Sequence, residues 1–296
     1  MLTIDKFSIE KLFADFQGMK VLVIGDIMVD SYIWGKVDRI SPEAPVPVVS
    51  VTKRENRLGG AANVALNLQS LGAVPLLCSI SGNDQKANEF CQLLEKNHIS
   101  SGGILRSEKR ITTTKFRIIG NNYQMLRVDE EISQALTQPE TRAFYNHIER
   151  IAMAEKPQAI LFEDYDKGAI DIALITWVVE LAERMKIPVT VDPKKKNFSA
   201  YKNATLFKPN YKELCDGMKI ENIQRTPEEL LKICSGFQHF HNISKMILTL
   251  SEQGVFISSI NKFGVAEGAL IPARIRNVAD VSGAGDTVIA LATLCT

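Results

Sequence analysis

Four short apolar runs limit what this chain can fold into: Lys20-Val-Leu-Val-Ile-Gly25, Gln158-Ala-Ile-Leu-Phe-Glu163, Ile187-Pro-Val-Thr-Val-Asp192 and Lys245-Met-Ile-Leu-Thr-Leu250. A strand that is apolar without alternation buries both faces, which is the habit of parallel sheets covered by helices. Between the runs lie segments with helical periodicity. Ala61 to Leu71 is one; Asp171 to Met185 is another, with Ile172, Ile175, Val179 and Ala182 on one expected face. Thr226-Pro-Glu-Glu supplies an N-cap, a proline at the first helical position and acidic residues in the first turn. The alternation predicts an α/β domain with three layers and a mostly parallel central sheet.

Two segments break the alternation. Pro45-Val-Pro-Val-Val-Ser-Val51 reads as extended, and its prolines suit an edge strand. Thr112 to Ile119 and Tyr123 to Val128 flank Gly120-Asn-Asn, a hairpin turn signal. They are expected to meet as a small second sheet, a lid over one end of the main sheet, made by residues near 34–51 and 107–128. Extra edge strands on the main sheet are the alternative. No repeat, low-complexity tract or linker divides the chain, so all 296 residues are read as a single domain.

Composition excludes several functions. Apolar residues make up 45% and charged residues 23%, which rules out disorder and coiled coil. Lys+Arg total 35 against 34 Asp+Glu, so no global field draws nucleic acid or an anionic membrane, and any anion site must be local. No segment reaches the ~20 apolar residues of a membrane span, and the first residues lack a signal-peptide core. Five cysteines without a Cys-x-x-Cys spacing fit a reducing cytoplasm. His239 and His241 lack a third ligand at zinc spacing and read as structural.

Four motifs carry chemistry. Asp280-Val-Ser-Gly-Ala-Gly-Asp286 leads into an apolar helix. Gly283, Ala284 and Gly285 let backbone N–H groups converge at the helix N-terminus, which makes an anion hole, and Asp286 in the first turn can take a proton from an attacking hydroxyl. As a bare helix entry, Asp286 would only favour the dipole. Gly59-Gly60-Ala-Ala-Asn63 lets a polar ligand approach backbone, with Asn63 as donor and acceptor. Gly25-Asp26-Ile-Met-Val-Asp30 follows the first strand, where ligands of open α/β sheets bind, so Asp26 and Asp30 are candidate acceptors for sugar hydroxyls or else solvated loop carboxylates. Pro209-Asn210-Tyr-Lys-Glu213 reads locally as a capping box, and functionally as oxygen ligands near Mg²⁺.

In this order the four motifs resemble those of the PfkB carbohydrate kinases, which have the ribokinase fold. Gly59 to Asn63 is similar to that family's N-terminal signature and Asp280 to Asp286 to its C-terminal one, and the similarity runs from about Lys20 to the end of the chain. A narrower resemblance, to the kinase part of the heptose-phosphate kinase/adenylyltransferase proteins, rests on Arg39 to Val49, Glu163-Asp-Tyr-Asp-Lys-Gly168, Val191-Asp-Pro-Lys194 and Leu250-Ser-Glu-Gln-Gly254.

The resemblance implies transfer of the ATP γ-phosphoryl to O1 of D-glycero-β-D-manno-heptose 7-phosphate, with ATP and Mg²⁺ as cofactors. It assigns Asp286 as base and Gly283, Ala284 and Gly285 as anion hole. Asn210, Glu213, Ser251 and Gly254 fall on the ATP–Mg²⁺ side, with the metal held through ATP and water rather than by direct protein ligands. Asp26, Asp30, Gly59, Gly60 and Asn63 fall on the sugar side, with Arg127, Lys167 and Lys194 as the phosphate-binding cations. It also implies a homodimer through the lid, whose expected apolar face carries Trp34, Val46, Val48 and Ile118. The alternatives are a PfkB kinase for another sugar phosphate or a nucleoside, or a non-catalytic sugar-binding protein. Three departures from the family pattern stand out. Asp166 occupies a usual Gly position, Val281-Ser282 replaces Thr-Thr or Val-Thr, and the chain ends at Thr296, partway into the helix expected after Gly283. Further helices and the adenylyltransferase half are therefore expected outside it, leaving kinase activity alone.

Overall fold

The strand Lys20–Gly25 (β1) has five of its six residues buried and organises the fold. The computed structural model describes residues 6–221, 223–274 and 283–296. A short helix, Lys6–Asp15 (α1), precedes β1. After it come Ile27–Ile40 (β2), Pro47–Gly60 (β3), the helix Ala61–Ser70 (α2), Val74–Gly82 (β4), the helix Gln85–Lys96 (α3) and Ile104–Ser107 (β5). Thr114–Gly120 (β6) and Tyr123–Glu130 (β7) form a hairpin before the helix Gln138–Glu155 (α4). Ala159–Glu163 (β8), Ile172–Met185 (α5), Val189–Asp192 (β9), Leu206–Phe207 (β10), Tyr211–Met218 (α6), Pro227–His241 (α7) and Lys245–Thr249 (β11) continue the alternation. Val255–Ile260 (β12), Ala266–Ile271 (β13) and Ala284–Leu294 (α8) close it.

Nine strands form the main sheet in the order β13-β12-β11-β10-β9-β8-β1-β4-β5. It is parallel from β11 to β5, with β12 and β13 added antiparallel at one edge. Alternate residues of β1 serve opposite layers. Leu22 and Ile24 join the core under α4, α5 and α7, whereas Val21 and Val23 join the core under α2, α3 and α8. The buried stripe of α5 is Leu174, Ile175, Val178, Val179, Leu181 and Ala182. Ile172, expected on that stripe, is 61% exposed, because Asp171 caps the helix and leaves Ile172 on its open first turn. His241 packs its ring 4.2 Å from Phe237 and belongs to the α7 core contact.

The two interruptions build a separate four-stranded sheet, β3-β2-β6-β7. It extends further than the sequence pattern suggests, over 27–60 and 114–130, while Ser107 ends a strand of the main sheet. The reason lies at the roots, where Ile27, Val29 and Leu58 run into the core between strands that look polar further out. Asn121 and Asn122 both take positive φ (51° and 68°) in a two-residue hairpin between Gly120 and Tyr123, and asparagine tolerates that region. Trp34 pairs with Ile119 and stacks on Tyr32, whereas Ile118 pairs with Ile33. Trp34 and Ile118 therefore lie on opposite faces and cannot share one apolar surface. The face of Ile118 carries Ile33, Leu126 and Val128, the last two exposed.

An aromatic cluster stiffens the middle of the main sheet: Phe207 of β10 lies 5.1 Å from both Phe198 and Phe237, ring to ring, and is fully buried. Phe207→Ala is expected to cost ~3–5 kcal/mol through lost burial and an unfilled cavity. A urea unfolding midpoint measures it, and a loss below about 1 kcal/mol would show that the cluster collapses around the gap.

Candidate active site

The carboxyl ends of β11, β10, β9, β8 and β1 lie side by side, and the chemistry-bearing residues collect there. Gly283 caps α8 with φ 80°, in the left-handed region that favours glycine, and a Cβ there would meet the Asn63 amide nitrogen at 2.7 Å. The next residues are Ala284, Gly285 and Asp286, whose N–H groups lie in the first turn, the end of a helix where an anion is favoured. Asp286 is buried. Its Oδ2 accepts a 2.7 Å hydrogen bond from the Asn63 side chain, and the Tyr165 hydroxyl donates to Oδ1 at 3.3 Å. Asp280, Val281 and Ser282 lie outside the described residues.

Asn63 is carried by α2, whose N-cap is Gly60 at φ 58°. A Cβ on Gly60 would come within 2.4 Å of the Asp26 carbonyl, and one on Gly59 within 2.3 Å of the Asp30 carboxylate. The Gly-Gly pair thus lets β3 turn into α2 against the end of β1. Small residues on α2 (Ala61, Ala62, Ala65) share a core with Ile289 and Ala290 of α8, which brings Asn63 to Asp286.

Two carboxylates missed at the level of motifs complete the cluster. Glu163 and Asp192 are the last residues of adjacent strands and pair in register. With Asp286 they place one oxygen each within 4.8 Å of one another, all buried. Lys208 pairs with Asp192 at 2.7 Å. Burial, then Asp192 and Asp286, push the Glu163 carboxyl well above its usual range. Burial likewise raises Asp192 against the pull of Lys208 and Lys194. Both Glu163 oxygens and Asp192 Oδ1 are buried without a hydrogen-bond partner among the described residues. An all-oxygen donor set with unspent lone pairs fits a hard divalent cation such as Mg²⁺. The expected location beside Asn210 and Glu213 fits less well. There Asn210 and Glu213 close a reciprocal capping box at the start of α6, and the other Glu213 oxygen accepts from Lys194. The signal for Glu163 and Asp192 was present as an acid ending each of two apolar runs.

The loop after β8 is held from two sides. Asp164 accepts from Tyr201, Asn197 and the Asp166 N–H. Asp26, 3% exposed, accepts from the N–H groups of Tyr165 (2.8 Å), Lys167 (3.1 Å) and Ala169 (3.2 Å). Burial, then Asp164, raise the Asp26 carboxyl to about 6 in spite of these donors. Asp26 therefore does not face the sugar side as expected; its oxygens are spent on the loop. Asp166 takes φ 56°, which accounts for glycine being the usual residue there. Burial, with Glu163 and Asp286 nearby, keeps the proton on Tyr165.

A cleft of about 280 Å³ opens between Asp286 and the second sheet. Asp30 and Arg117 face it as a 2.5 Å ion pair, with Arg57 and Lys115 alongside. The Arg57 and Arg117 guanidinium groups also lie over the Tyr32 ring, at 4.6 and 5.3 Å. The expected phosphate cations do not line this cleft. Arg127 pairs with Asp129, Lys167 with Glu131 and Lys194 with Glu213. The signal for Lys115 and Arg117 was the alternation Lys115-Phe-Arg117-Ile, with the charged residues on one face of β6. Lys194 lies 5.1 Å from the Tyr165 ring and shares Glu213 with Asn210, while Ser251 and Gly254 form a turn after β11. Both have positive φ, 55° and 99°. A larger groove of about 500 Å³ over Tyr145 and Trp177 shares none of these residues.

Fold and site together define a phosphotransferase of sugars: the chain belongs to the pfkB family of carbohydrate kinases, whose profile matches residues 19–295. Among individual relatives, it is 40% identical over 280 residues to the Bifunctional protein HldE of Helicobacter pylori strain J99, covering 93% of this chain and 58% of that protein. It is 36% identical over 292 residues to the protein of the same name in Geobacter sulfurreducens, covering 97% and 57%. The chain thus spans a little over half the length of these curated relatives. Among solved structures, the tetrameric inhibited form of phosphofructokinase-2 from Escherichia coli superposes with a TM-score of 0.73 at 18% identity, over 94% of this chain and 87% of that one. At that identity the likeness shows the fold alone, which is ribokinase-like.

Glu163 supplies a test of the buried carboxylate cluster. Its folded-state pKa lies above the ordinary 4.5, so the folded protein holds that proton more tightly than the unfolded chain. The cost of ionisation is absent below 4.5 and grows as pH rises toward the raised value. In metal-free buffer, the thermal midpoint of Glu163→Gln is expected to gain on that of the parent as pH is raised from about 5 to about 8. A pH-independent difference between the two would show that Glu163 is not held protonated by its surroundings.

Proposed function

We propose that the chain transfers the γ-phosphoryl group of ATP to O1 of D-glycero-β-D-manno-heptose 7-phosphate, giving the 1,7-bisphosphate, a step toward ADP-heptose and the lipopolysaccharide core. The observation that carries this reading is Asp286. It is a buried carboxylate in the first turn of α8, oriented by Asn63 and Tyr165 and facing a cleft whose other wall is cationic. The heptose phosphate itself is inferred from the likeness to the HldE proteins over nearly the whole chain.

In this reading the sugar lies between Asp286 and the second sheet, which acts as its lid. Asp30, Asn63 and the backbone at Gly59 and Gly60 meet its hydroxyls, and Lys115, Arg117 and Arg57 meet its phosphate. As the O1 hydroxyl attacks the γ-phosphorus, its proton passes to Asp286, the bond to the β-phosphate oxygen breaks and ADP departs. The first-turn N–H groups of α8 at Gly283 to Gly285 stabilise the charge of the transferred group. Asn210, Glu213, Ser251 and Gly254 mark the nucleotide side. Glu163 and Asp192, beside Asp286, are the residues that would hold Mg²⁺, which when bound neutralises phosphate charge. The outward face of the lid, with Ile33, Ile118, Leu126 and Val128, is the surface through which two copies would pair. No helix among the described residues is long and apolar enough to cross a membrane, and a cytoplasmic location is part of the same proposal.

Sugar-dependent ADP release across a panel of sugar phosphates tests the reading. Activity that is highest with another sugar phosphate overturns the heptose assignment, and no sugar-dependent release at all points to a binding protein. Asp286→Asn is expected to lower kcat by ~10²–10⁴-fold while leaving binding of both substrates nearly intact. A kcat within about threefold of the parent would remove Asp286 from the role of base. Lys115→Met is expected to raise KM for the sugar phosphate by roughly 10–100-fold, the worth of a hydrogen bond to a charged group. The effect should vanish with the unphosphorylated sugar, and an equal effect on both sugars would place the phosphate elsewhere.

A further inference from the structure

We propose that Asp26 is a positioning residue whose carboxylate ties the two roots of the second sheet to the loop bearing Tyr165, so that the sheet over the sugar and the partner of Asp286 move as one unit. The inference rests on the reading of Asp286 as base and of the second sheet as lid.

The geometry is specific. Asp26 is the one residue between β1 and β2, so its backbone is the hinge from the main sheet into the second sheet. Its N–H donates to the Glu163 carbonyl at 3.1 Å, and its carbonyl accepts from the Ala61 N–H at 3.0 Å, where β3 returns to become α2. Both strands that root the second sheet therefore meet at this residue. The side chain then reaches a third element and accepts from the N–H groups of Tyr165, Lys167 and Ala169. A buried carboxylate that spends its oxygens on backbone donors has no room for a substrate hydroxyl. It fixes the loop path instead, because a carboxylate accepts at both oxygens where a carboxamide has one acceptor and one donor group.

The same loop is gripped from outside. Arg110 donates to the carbonyls of Lys167, Ile132 and Gln134, and Lys167 pairs with Glu131 just beyond the end of β7. The loop between Asp164 and Ala169 thus meets the second sheet at two separated points, its root through Asp26 and the chain leaving its last strand through Glu131. A change in tilt of the second sheet is transmitted to Tyr165, and through its hydroxyl to Asp286. Misplacing a reacting group by about 1 Å costs on the order of 10²-fold in rate.

Asp26→Asn tests this in the whole chain. It places an amide N–H₂ against at least one backbone N–H and breaks the clamp without opening a cavity. Hydrogen exchange is expected to quicken at the amides of Tyr165, Lys167 and Ala169 and, together with them, at 27–30 and 58–61. The expected kcat falls about 10²-fold, while KM for ATP stays within about twofold, because the nucleotide side lies across other strands. The thermal midpoint holds or rises, since a buried charge has been removed. Faster exchange confined to 165–169, or an unchanged kcat, overturns the coupling, and a midpoint that falls in step with kcat assigns Asp26 to stability alone. Should the variant not fold, exchange of the parent in sub-denaturing urea decides. The loop amides and those of the sheet roots open together if Asp26 joins them, and at separate urea concentrations if it does not. If the parent releases no ADP with any sugar phosphate, the kinase reading falls, and the exchange measurements still decide the fate of the clamp.

Discussion

Negative charge gathered at the carboxyl ends of neighbouring parallel strands is the constraint on which the rest of this structure depends. Glu163 and Asp192 end β8 and β9, Asp26 and Asp164 flank them, and Asp286 arrives from α8. Buried carboxylates this close cannot all ionise unless something opposes them. The chain answers in three ways. Lys208 and Lys194 place cations inside the cluster. Backbone N–H groups and buried hydroxyls satisfy Asp26 and Asp164. The Glu163 carboxyl has no hydrogen-bond partner among the described residues, and burial favours its protonated form. Such a local balance is not revealed by the near-zero net charge of the chain.

The layered fold was legible because its signals are local. Val21 to Gly25 and Ala159 to Glu163 have both faces buried and read as unbroken apolar runs, and the caps at Thr226 and Asn210 appear where residue type and spacing place them. Asp286 and Asn63 were legible because small residues around them have few other uses. Partnerships were not legible. Asp26 was expected at the sugar because it follows a strand, but three N–H groups from the distant loop beyond β8 take its oxygens. Arg127, Lys167 and Lys194 are cations near motifs, but none of them lines the cleft beside Asp286. Trp34 and Ile118 were given one face, although the strand register separates them. In each case a residue's type was visible in sequence while its neighbour, set by strand order, was not.

The second sheet shows how one small element serves two environments. Along β6, Lys115 and Arg117 look toward Asp286 while Phe116 and Ile118 look away. The apolar half is partly covered near the root, where Lys86 of α3 lies over Phe116, and is open further out at Leu126 and Val128. A polar face toward a ligand and an apolar face toward a protein surface is the division expected of a sheet too thin to hold a core of its own.

The pairing of β2 with β6 has a consequence for how the chain assembles. These strands run parallel although more than seventy residues separate them, with Val29 opposite Thr114 and Gly35 opposite Gly120. The intervening chain includes β4 and β5 of the main sheet and the helices α2 and α3. Closing a loop of that size is entropically unfavourable until the intervening elements have condensed. The β2–β3 and β6–β7 hairpins can each form locally, but they can be joined edge to edge only after β1, β4 and β5 have brought their roots together. Every element this joining needs precedes β8, β9 and α8 in the chain, so a nascent chain carries the cationic wall of the cleft before it carries the buried acids that face it.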